Sequence, residues 1–495
     1  MKYKLVWLLL LLSSLILSCK KSNNEDDKPN VIAKNEVSIN ILKEIKSLSG
    51  NEVGINLDYL MDDSYLPGLT YNSTINSLKE TGVKVLRYPG GEKSDNYLFG
   101  KTPYDISMPS AAYCNWPASE ARFFNSDKTA KTVVLDFDEY MVMCRQLEAT
   151  PLVVVTYDAM YSTSKCGVIP SRKDMIKNAM EWVRYANIKN DYKVKLWMIG
   201  NESWNSPDYN GKVSPQQYAV DIAQFADSMR SIDPSIKIIA NGRSDWWQTL
   251  LQSNAASKID YLAFSNYLPN GIDSYEKYSS YKYGVNQETN QAIDAIKNYA
   301  NESDKNRIEV ILSEYNSIDW TNGWSNDNNL GHALCNFQML ADAIIQPKVF
   351  TTCLWNTRWV DNNTQPQSVF DAFDASGNLN ATGKVLSVLG NNLFKTIVEA
   401  IPSSSSIKAY ATYDKSKNYL NVFLLNKNDT EQEVTLDITD FLLEFEFQIW
   451  NFKGISLTDK NPTWAKSGAV TSGLSGMSVV IPKNSVTMVQ IKSKF

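Results

Sequence analysis

Two glutamates that follow apolar segments are the residues of this sequence most suited to chemistry. Glu202 comes shortly after the apolar run 194–199, and Glu314 comes shortly after the run 308–312. Short apolar runs bounded by turn residues are typical of fully buried strands. A carboxylate placed just beyond such a strand needs a polar partner or a polar ligand. Two of them indicate one pair of carboxylates at one end of one sheet.

A pair of carboxyl groups can cleave a glycosidic bond. One carboxylic acid protonates the leaving oxygen, while a second carboxylate acts as the nucleophile or activates a water molecule. The alternative is structural, since a glutamate at such a position also caps a helix or forms an ion pair. We favour the catalytic interpretation because Glu202 and Glu314 both follow predicted buried strands, which a structural role does not require.

The histidine content excludes several other chemistries. His332 is the only histidine, so a zinc site with several histidine ligands is excluded, and a Ser-His-Asp system would have to use this residue. Its surroundings predict the start of a helix and a structural role. Acid–base work at neutral pH then falls to carboxylates, tyrosines and lysines. No phosphate-binding loop, metal cluster or cofactor motif is present, so we expect neither a metal nor a cofactor.

The acidic balance of the chain argues against a nucleic-acid partner. The net charge is −5 and the pI is about 5.3, so no basic face is expected. The 13 Trp and 26 Tyr residues offer flat rings on which sugars can stack, although such rings also fill cores. The tryptophans in predicted loops are Trp116, Trp204, Trp320, Trp324 and Trp359.

The cysteines form no C-x-x-C pair, which excludes zinc knuckles and thioredoxin-like motifs. Cys144, Cys335 and Cys353 lie in apolar surroundings and are predicted to be small core residues. Cys114 and Cys166 lie in predicted loops, where they either pair or stay free.

The N-terminal segment has the pattern of an export signal. Residues 1–18 combine a basic start, a short apolar stretch and a small residue before Cys19, which resembles a bacterial lipobox with lipid attachment at that cysteine. The alternative is an ordinary signal peptide with an unrelated cysteine. Residues 19–35 are polar and predict a flexible tether. We expect an exported protein held by lipid at a bacterial cell membrane, at the outer membrane or the cell surface.

Residues 49–396 alternate buried strands with amphipathic helices, which predicts an α/β fold, the (β/α)8 TIM barrel. A doubly wound sheet is the rival, but no G-x-G-x-x-G follows any strand. The predicted strands are 53–57, 84–88, 152–157, 194–199, 236–240, 261–264, 308–312 and 350–354. The predicted helices are 74–82, 134–148, 172–188, 214–231, 245–256, 286–300, 331–346 and 381–395.

Residues 397–495 change to short alternating runs separated by turn residues, which predicts a C-terminal β-sandwich. The predicted strands are 407–412, 419–426, 433–438, 445–451, 478–481 and 486–491. An earlier alternating strand within 36–48 precedes the barrel, and we expect it to complete one sheet of this sandwich.

Three short motifs resemble known glycosidases. Gly200-Asn201-Glu202 and Ser313-Glu314-Tyr315-Asn316 are similar to the strand-four and strand-seven motifs of the retaining glycoside hydrolases of clan A. Leu86-Arg87-Tyr88-Pro89-Gly90-Gly91 is similar to the strand-two motif of α-L-arabinofuranosidases. The barrel-plus-sandwich layout over residues 50–495 fits the same families.

The resemblance implies a role for six residues. Glu202 would be the general acid/base and Glu314 the nucleophile. Asn201 would hold the sugar 2-hydroxyl, and Arg87 would lie beside the nucleophile and keep it ionised. The resemblance also implies a hydrogen bond from Tyr267 to the nucleophile and a platform under the sugar at Trp355.

Further side chains at predicted strand ends are candidates for contact with a sugar, although each also suits a loop or a cap. They are Asn56, Tyr157, Asp158, Asn241 and Asn356. Asp245 opens a helix and is predicted to cap it.

The chain departs from the arabinofuranosidase pattern near the sixth strand, where Ser265-Asn266 replaces the usual histidine. Charged residues also follow the second strand. Lys93 and Arg358 either meet a sulfate or uronate of the substrate or, as we favour, are solvated surface charges.

We therefore predict a retaining O-glycoside hydrolase that acts on a plant or algal cell-wall polysaccharide, with arabinofuranosidase-like activity. A retaining mechanism requires carboxyl groups ~5–5.5 Å apart, a protonated Glu202 with a raised pKa and an ionised Glu314 with a low pKa. One alternative is an endo-acting β-glycanase of the same clan, of agarase, porphyranase, xylanase or glucanase type. The other is a non-catalytic, glycan-binding surface lipoprotein. The oligomeric state stays open.

Overall fold

The computed structural model describes most of the chain from residue 34 onward. The described residues are 34–63, 70–112, 118–162, 169–205, 213–321, 323–359, 368–439, 441, 443–467, 471–473 and 476–493. The signal and lipid-attachment predictions at 1–18 and Cys19 lie outside them, as do Cys114, Trp116 and Cys166.

Twenty strands are present in the described part of the chain. In chain order they are β1 (Lys34–Ser47), β2 (Val53–Asn56), β3 (Val85–Tyr88), β4 (Tyr97–Leu98), β5 (Ser110–Ala111), β6 (Thr150–Val155), β7 (Leu196–Ile199), β8 (Lys237–Asn241), β9 (Tyr261–Tyr267), β10 (Glu309–Asn316), β11 (Val349–Leu354), β12 (Thr396–Pro402), β13 (Ile407–Asp414), β14 (Tyr419–Asn426), β15 (Gln432–Thr439), β16 (Leu443–Lys453), β17 (Thr463–Lys466), β18 (Thr471–Gly473), β19 (Gly476–Ile481) and β20 (Ser485–Ser493).

Helices fill the connections between the barrel strands. They are α1 (Tyr71–Thr81), α2 (Ala118–Ala121), α3 (Phe137–Leu147), α4 (Arg172–Val183), α5 (Pro215–Arg230), α6 (Ser244–Leu251), α7 (Tyr275–Ser280), α8 (Gln287–Tyr299), α9 (Glu302–Arg307), α10 (Leu330–Ile344) and α11 (Ala381–Gly390). A π-helical turn, Arg184–Lys189, extends α4. No helix among the described residues is long and apolar enough to span a bilayer.

Eight parallel strands close into a barrel in the order β10-β11-β2-β3-β6-β7-β8-β9. Each strand is buried on both faces, because the helices cover the outside while side chains fill the interior. The interior layer is apolar and includes Val85, Val154, Met198, Ile311 and Cys353. The predicted (β/α)8 barrel is confirmed, with all eight strands at the predicted places.

The remaining large sheet has ten strands in the order β17-β16-β20-β14-β13-β12-β1-β15-β19-β18. It is mostly antiparallel and curls around its own apolar core, which contains Val37, Ile39, Val422, Val479 and Ile491. The predicted β-sandwich is therefore one continuous sheet folded over itself. In it, β1 pairs antiparallel with β12 and parallel with β15.

The sandwich packs directly on the barrel. Phe423, Phe452 and Met488 belong to the same apolar cluster as the barrel helices. The hydroxyl of Tyr410 donates to Asp342 Oδ1 at 2.6 Å, which joins β13 to α10. The contact between the two parts is therefore an extension of the core.

Several elements escaped the sequence patterns. Among them, α2, α7, α9 and β17 have too few residues to display a period. The seven-residue strand β12 was not predicted either, and it lies at the boundary between the predicted barrel and the predicted sandwich. The prediction that Asp245 caps a helix is wrong. The N-cap of α6 is Arg243, and Asp245 lies in the first turn, where Oδ1 accepts from Arg243 Nε at 2.7 Å.

Candidate active site

A cavity of about 870 Å³ opens at the C-terminal ends of the barrel strands, where the active sites of such barrels lie. Glu202 and Glu314 both face it, so the structure brings the two predicted carboxylates together. The lining residues are Glu92, Asn201, Glu202, Trp204, Asn205, Arg243, Ser265, Asn266, Tyr267, Leu268, Pro269, Asn270, Gln287, Glu288, Glu314, Trp320, Trp355, Trp359 and Phe370.

A bulge in β10 aims Glu314 at this cavity. Ile311 points into the barrel interior, so strict alternation would turn Ser313 inward and Glu314 toward the helices. The pairing with β9 shifts between Leu312 and Glu314, so that β10 holds one extra residue there. Such a bulge turns the following side chain to the other face of the strand.

Arg87 connects Glu314 to two asparagines from a fully buried position in β3. Its Nη1 donates to Glu314 Oε1 at 2.9 Å and to Asn56 Oδ1 at 2.6 Å. Its Nη2 donates to Asn201 Oδ1 at 2.7 Å. The planar guanidinium thereby fixes residues from β2, β10 and the turn after β7 relative to one another.

Tyr267, the last residue of β9, holds the other oxygen of Glu314. Its hydroxyl donates to Glu314 Oε2 at 2.8 Å. Burial, followed by the nearby charge of Glu314, raises the pKa of Tyr267 well above its ordinary value. The phenol therefore stays protonated and acts as a donor at any physiological pH.

Glycine is required at position 91, directly after β3. A Cβ there would lie 2.6 Å from Trp355 Cη2 and closer still to Glu314 Oε1. Trp355 lines the cavity and packs against Trp359 with ring centroids 5.3 Å apart. The Trp355–Asn356 peptide is cis. The second glycine of the strand-two motif thus makes room for the carboxylate and the tryptophan.

Glu202 lies in a tight turn after β7. Both Gly200, with φ of 73°, and Glu202, with φ of 41°, adopt left-handed backbone conformations. Asn201 lines the cavity between them. Since Arg87 occupies its Oδ1, the amide nitrogen is the group of Asn201 left to meet a ligand.

The predicted low pKa of Glu314 is wrong. Burial, followed by the nearby Glu202 carboxylate, raises the pKa of Glu314 to about 7, against the opposing effects of Arg87 and Tyr267. Glu314 is only 4% exposed, so desolvation outweighs its one adjacent cation.

Lys93 and Arg358 are not surface charges. Lys93 is buried, donates to Glu120 Oε1 at 2.5 Å and lies 4.1 Å from the ring centroid of Trp359. Arg358 is buried and donates to Asp62 Oδ1 at 2.9 Å. Because burial leaves both with carboxylate partners behind the cavity wall, neither is placed to meet a sulfate or uronate.

The five further candidates for contact with a sugar are all buried behind the cavity instead, namely Asn56, Tyr157, Asp158, Asn241 and Asn356. Asn56 holds Arg87 and donates to Ser313 O at 2.8 Å. Tyr157 donates to Asp221 Oδ2 at 2.9 Å. Asn356 is fully buried after β11. A strand end supplies side chains to both the mouth and the core, and the sequence does not tell which.

His332 has the predicted structural role. Its ring nitrogens contact the carbonyl oxygens of Ser317 and Ser325, and its ring stacks on Trp324 at 4.1 Å. Burial lowers the pKa of His332 to about 4. Within the described residues, no three His, Cys, Asp or Glu side chains are grouped to hold a metal ion. Cys144, Cys335 and Cys353 are buried and free, as predicted.

Several cavity residues were not singled out from the sequence. No motif marks them, whether they lie in loops or, like Gln287 and Glu288, in the first turn of α8. They are Glu92, Asn205, Arg243, Asn270, Gln287, Glu288 and Phe370. The sequence did give a signal for three other cavity residues, because tryptophans in predicted loops are candidates for stacking on sugars. These three, Trp204, Trp320 and Trp359, all line the cavity.

Comparisons with known proteins confirm the predicted resemblance to arabinofuranosidases. Residues 77–283, which include Arg87 and Glu202, match the family model described as alpha-L-arabinofuranosidase 1 domain. A probable alpha-L-arabinofuranosidase C of Aspergillus fumigatus is 26% identical over 199 residues, 36% of this chain and 34% of that protein. The intracellular exo-alpha-(1->5)-L-arabinofuranosidase of Acetivibrio thermocellus is 22% identical over 265 residues, 52% of this chain and 49% of that protein. The chain thus spans about a third to a half of the length of these curated relatives.

Solved structures confirm the fold. The alpha-L-arabinofuranosidase of Thermotoga maritima, in complex with arabinose, superposes with a TM-score of 0.73 at 16% identity, over 92% of this chain and 100% of that chain. A xyloglucanase of Paenibacillus polymyxa from glycoside hydrolase family 44 superposes with a TM-score of 0.62 at 11% identity, over 93% and 99%. The barrel with its β-sandwich is common to all three.

Proposed function

We propose that this chain is a retaining O-glycoside hydrolase of arabinofuranosidase type that acts on a plant or algal cell-wall polysaccharide. The observation that carries the proposal is the environment of Glu314. One oxygen accepts from Arg87, the other accepts from Tyr267, and the carboxylate faces the same cavity as Glu202. A structural ion pair would not need a tyrosine donor and an open cavity.

The proposed reaction is a double displacement. Glu202 gives its proton to the leaving oxygen while Glu314 attacks the anomeric carbon, which forms a glycosyl-enzyme ester. Glu202, now a carboxylate, takes a proton from water as the water attacks the same carbon and releases Glu314. The amide nitrogen of Asn201 faces the cavity and is suited to hold a sugar hydroxyl.

The raised pKa of Glu314 affects the pH dependence of this reaction. The nucleophile must be ionised, and the pKa of Glu314 is about 7. Activity should therefore rise with pH on the acidic side and level off when Glu314 is ionised.

The walls of the cavity favour an uncharged glycan. Four glutamates and one arginine line it, so an anionic polysaccharide would meet a like-charged site. Lys93 and Arg358, the cations that could offset this charge, are buried with their own partners. A neutral arabinose-containing polymer therefore suits the site better than a sulfated algal one.

The second candidate is an endo-acting β-glycanase of the same clan, of xylanase or glucanase type. A row of aromatic rings favours it, since Trp355 packs on Trp359, Trp359 on Phe370, and Phe370 on Trp320. Trp320 is 56% exposed at the rim of the cavity. Such a row offers stacking surface beyond a single sugar.

We also propose that the protein is exported and held at a bacterial membrane through lipid on Cys19. The export pattern of residues 1–18 and the polar segment after them support this location. Incorporation of labelled palmitate into the wild type but not into Cys19→Ala, in the native host, tests it. Equal labelling of both would overturn the proposal.

The activity is tested by product release from neutral and sulfated polysaccharides and from aryl glycosides. Wild type is compared with Glu202→Gln and Glu314→Gln. Glu309→Gln is the matched control, because Glu309 lies at the opposite end of the same strand β10. We expect both site variants to lose turnover and the control to keep it, with a mechanism-based furanosyl inhibitor attached to Glu314 in the wild type.

The products also decide between the alternatives. Free arabinose indicates exo action on side chains, and oligosaccharides indicate the endo-acting glycanase. Binding of a polysaccharide without any cleavage would overturn the catalytic proposal in favour of the glycan-binding lipoprotein.

A further inference from the structure

The turn that carries Glu202 has a backbone conformation that a glutamate does not favour. Gly200 has φ of 73° and Glu202 has φ of 41°, both in the left-handed region. Glycine adopts this region freely, but for a glutamate it is strained and persists only when the surroundings hold it. Something next to the turn must therefore hold it.

One side of the turn is held by Asp158, which follows β6. Its Oδ2 accepts from Asn201 N at 3.3 Å and from Ser203 Oγ at 3.0 Å, so one carboxylate oxygen contacts both neighbours of Glu202. Asp158 is 1% exposed, and a Cβ on Gly200 would lie 2.9 Å from the same oxygen. The contact thus leaves no room for a side chain at position 200, so only glycine fits there.

The other side is held by Asn241, the last residue of β8. Its Oδ1 accepts from Ser203 N at 2.8 Å, and its Nδ2 donates to Ile199 O at 2.7 Å. One amide therefore bonds the residue before the turn and the residue at its end. Tyr218, which contacts both Asn241 and Ile199 O, fixes the amide in turn.

We propose that Asp158 and Asn241 are positioning residues that hold Glu202 in the one orientation that serves acid catalysis. The inference deepens the proposed function and rests on it. Neither residue lines the cavity, so neither touches the substrate. They act only through the turn 200–203, which they hold from the two strands β6 and β8 on either side of β7.

This role has a kinetic signature. A displaced Glu202 donates its proton poorly. The first displacement is then slower only for substrates whose leaving group needs that proton. A nitrophenolate leaves without protonation, whereas an alkoxide does not. Loss of the hydrogen bonds from Asp158 and Asn241 to the turn should therefore lower kcat/KM for a methyl glycoside and leave it nearly unchanged for a nitrophenyl glycoside of the same sugar. We compare kcat/KM because it reports the first displacement.

The experiment measures kcat/KM for both glycosides of the sugar that the wild type releases. We expect Asp158→Ala to lose about 10²-fold on the methyl glycoside, the scale expected for a misplaced catalytic group, with little loss on the nitrophenyl glycoside. Asp158→Asn keeps an acceptor oxygen for Asn201 N and Ser203 Oγ and should restore most of the activity. Ser203→Ala removes one hydrogen bond to Asp158 and one to Asn241. It should show the same selective loss in a milder form.

Asp221→Asn is the matched control. Asp221 is also a fully buried carboxylate, but none of its partners lies in the turn; they are Tyr157, Tyr161, Gln217 and Arg172. Its removal should lower stability and leave the ratio of the two kcat/KM values unchanged.

The outcomes separate the two proposals. Equal losses on both glycosides in Asp158→Ala and Ser203→Ala, from a wild type that cleaves both, overturn the positioning role and leave the hydrolase intact. A wild type that cleaves neither these nor any other glycoside overturns both. Should Asp158→Ala fail to fold, Ser203→Ala and Asp158→Asn decide.

Discussion

At the scale of single residues, the site combines groups that oppose each other electrostatically. Glu314 is buried beside Glu202, which disfavours its charge, while Arg87 and Tyr267 stabilise it. The balance leaves the pKa of Glu314 at about 7 rather than near its ordinary 4.5. A carboxylate kept in such surroundings costs stability, which is common where function requires it.

That cost predicts a pH-dependent difference between the wild type and Glu314→Gln. Because the folded-state pKa is raised, the contribution of Glu314 to stability is fully present below pH 4.5 and is lost as the pH rises through about 7. The free energy of unfolding of the wild type should fall relative to the variant by roughly 3 kcal/mol over this window and then level off. Urea unfolding at a series of pH values measures it, and a difference independent of pH would contradict the buried-carboxylate account.

Arg87→Lys should lose activity despite keeping the charge. A lysine ammonium cannot span Asn56, Glu314 and Asn201 as the guanidinium does, so we expect kcat/KM to fall about 10²-fold. Arg230→Lys is the control, since Arg230 bonds a carbonyl and Asp260 away from the cavity. Similar kinetics for the two variants would show that charge alone matters at position 87.

At the scale of elements, strand ends and the turns after them decide what faces the cavity. The bulge between Leu312 and Glu314 turns the carboxylate toward the mouth. The turn after β3 brings Gly91 against the same carboxylate. Neither feature shows in the strand patterns, because a bulge depends on the register of the neighbouring strand.

Gly91→Ala tests how closely the turn after β3 approaches the site. The added methyl would overlap Glu314 and Trp355, so we expect a loss of kcat/KM of about 10²-fold or more. Gly331→Ala is the control, because a Cβ there meets its nearest neighbours at an ordinary 3.4 Å. Steady-state kinetics and thermal unfolding of both variants measure the effect, and wild-type activity in Gly91→Ala would refute the predicted overlap.

At the scale of the whole molecule, the barrel and the sandwich share a core. Phe423, Phe452 and Met488 of the sandwich lie in the apolar cluster of the barrel, and β1 crosses the middle of the ten-stranded sheet. Apolar side chains that are buried in one shared core normally join two parts of a chain into one cooperative unit. We therefore expect activity and sandwich structure to be lost in a single transition.

Two adjacent residues of β1 provide the test. Ile39→Ala should destabilise the protein by about 2–5 kcal/mol because Ile39 is fully buried in the sandwich core. Ser38→Ala, on the exposed face, should change stability by no more than about 0.5 kcal/mol. Chemical denaturation followed by both activity and circular dichroism measures these effects. Separate transitions for the two signals would show that the parts unfold independently.

Local patterns in the sequence sufficed for the barrel, most of the sandwich strands and the two glutamates. Their periodicity and their position after apolar runs are properties of neighbouring residues, which any fold must respect. The motif residues Arg87, Asn201 and Tyr267 followed from resemblance, and the structure places all three around the carboxylates.

Only the tertiary structure decided which polar side chains at strand ends face the cavity and which support it. Five of these side chains are buried, and the sequence does not show it because the partners of four of them come from distant segments. The four are Lys93, Arg358, Asn56 and Tyr157, and the fifth, Asn356, lies in the core. The pKa of Glu314 likewise depends on desolvation and on the approach of Glu202, and neither is encoded in adjacent residues.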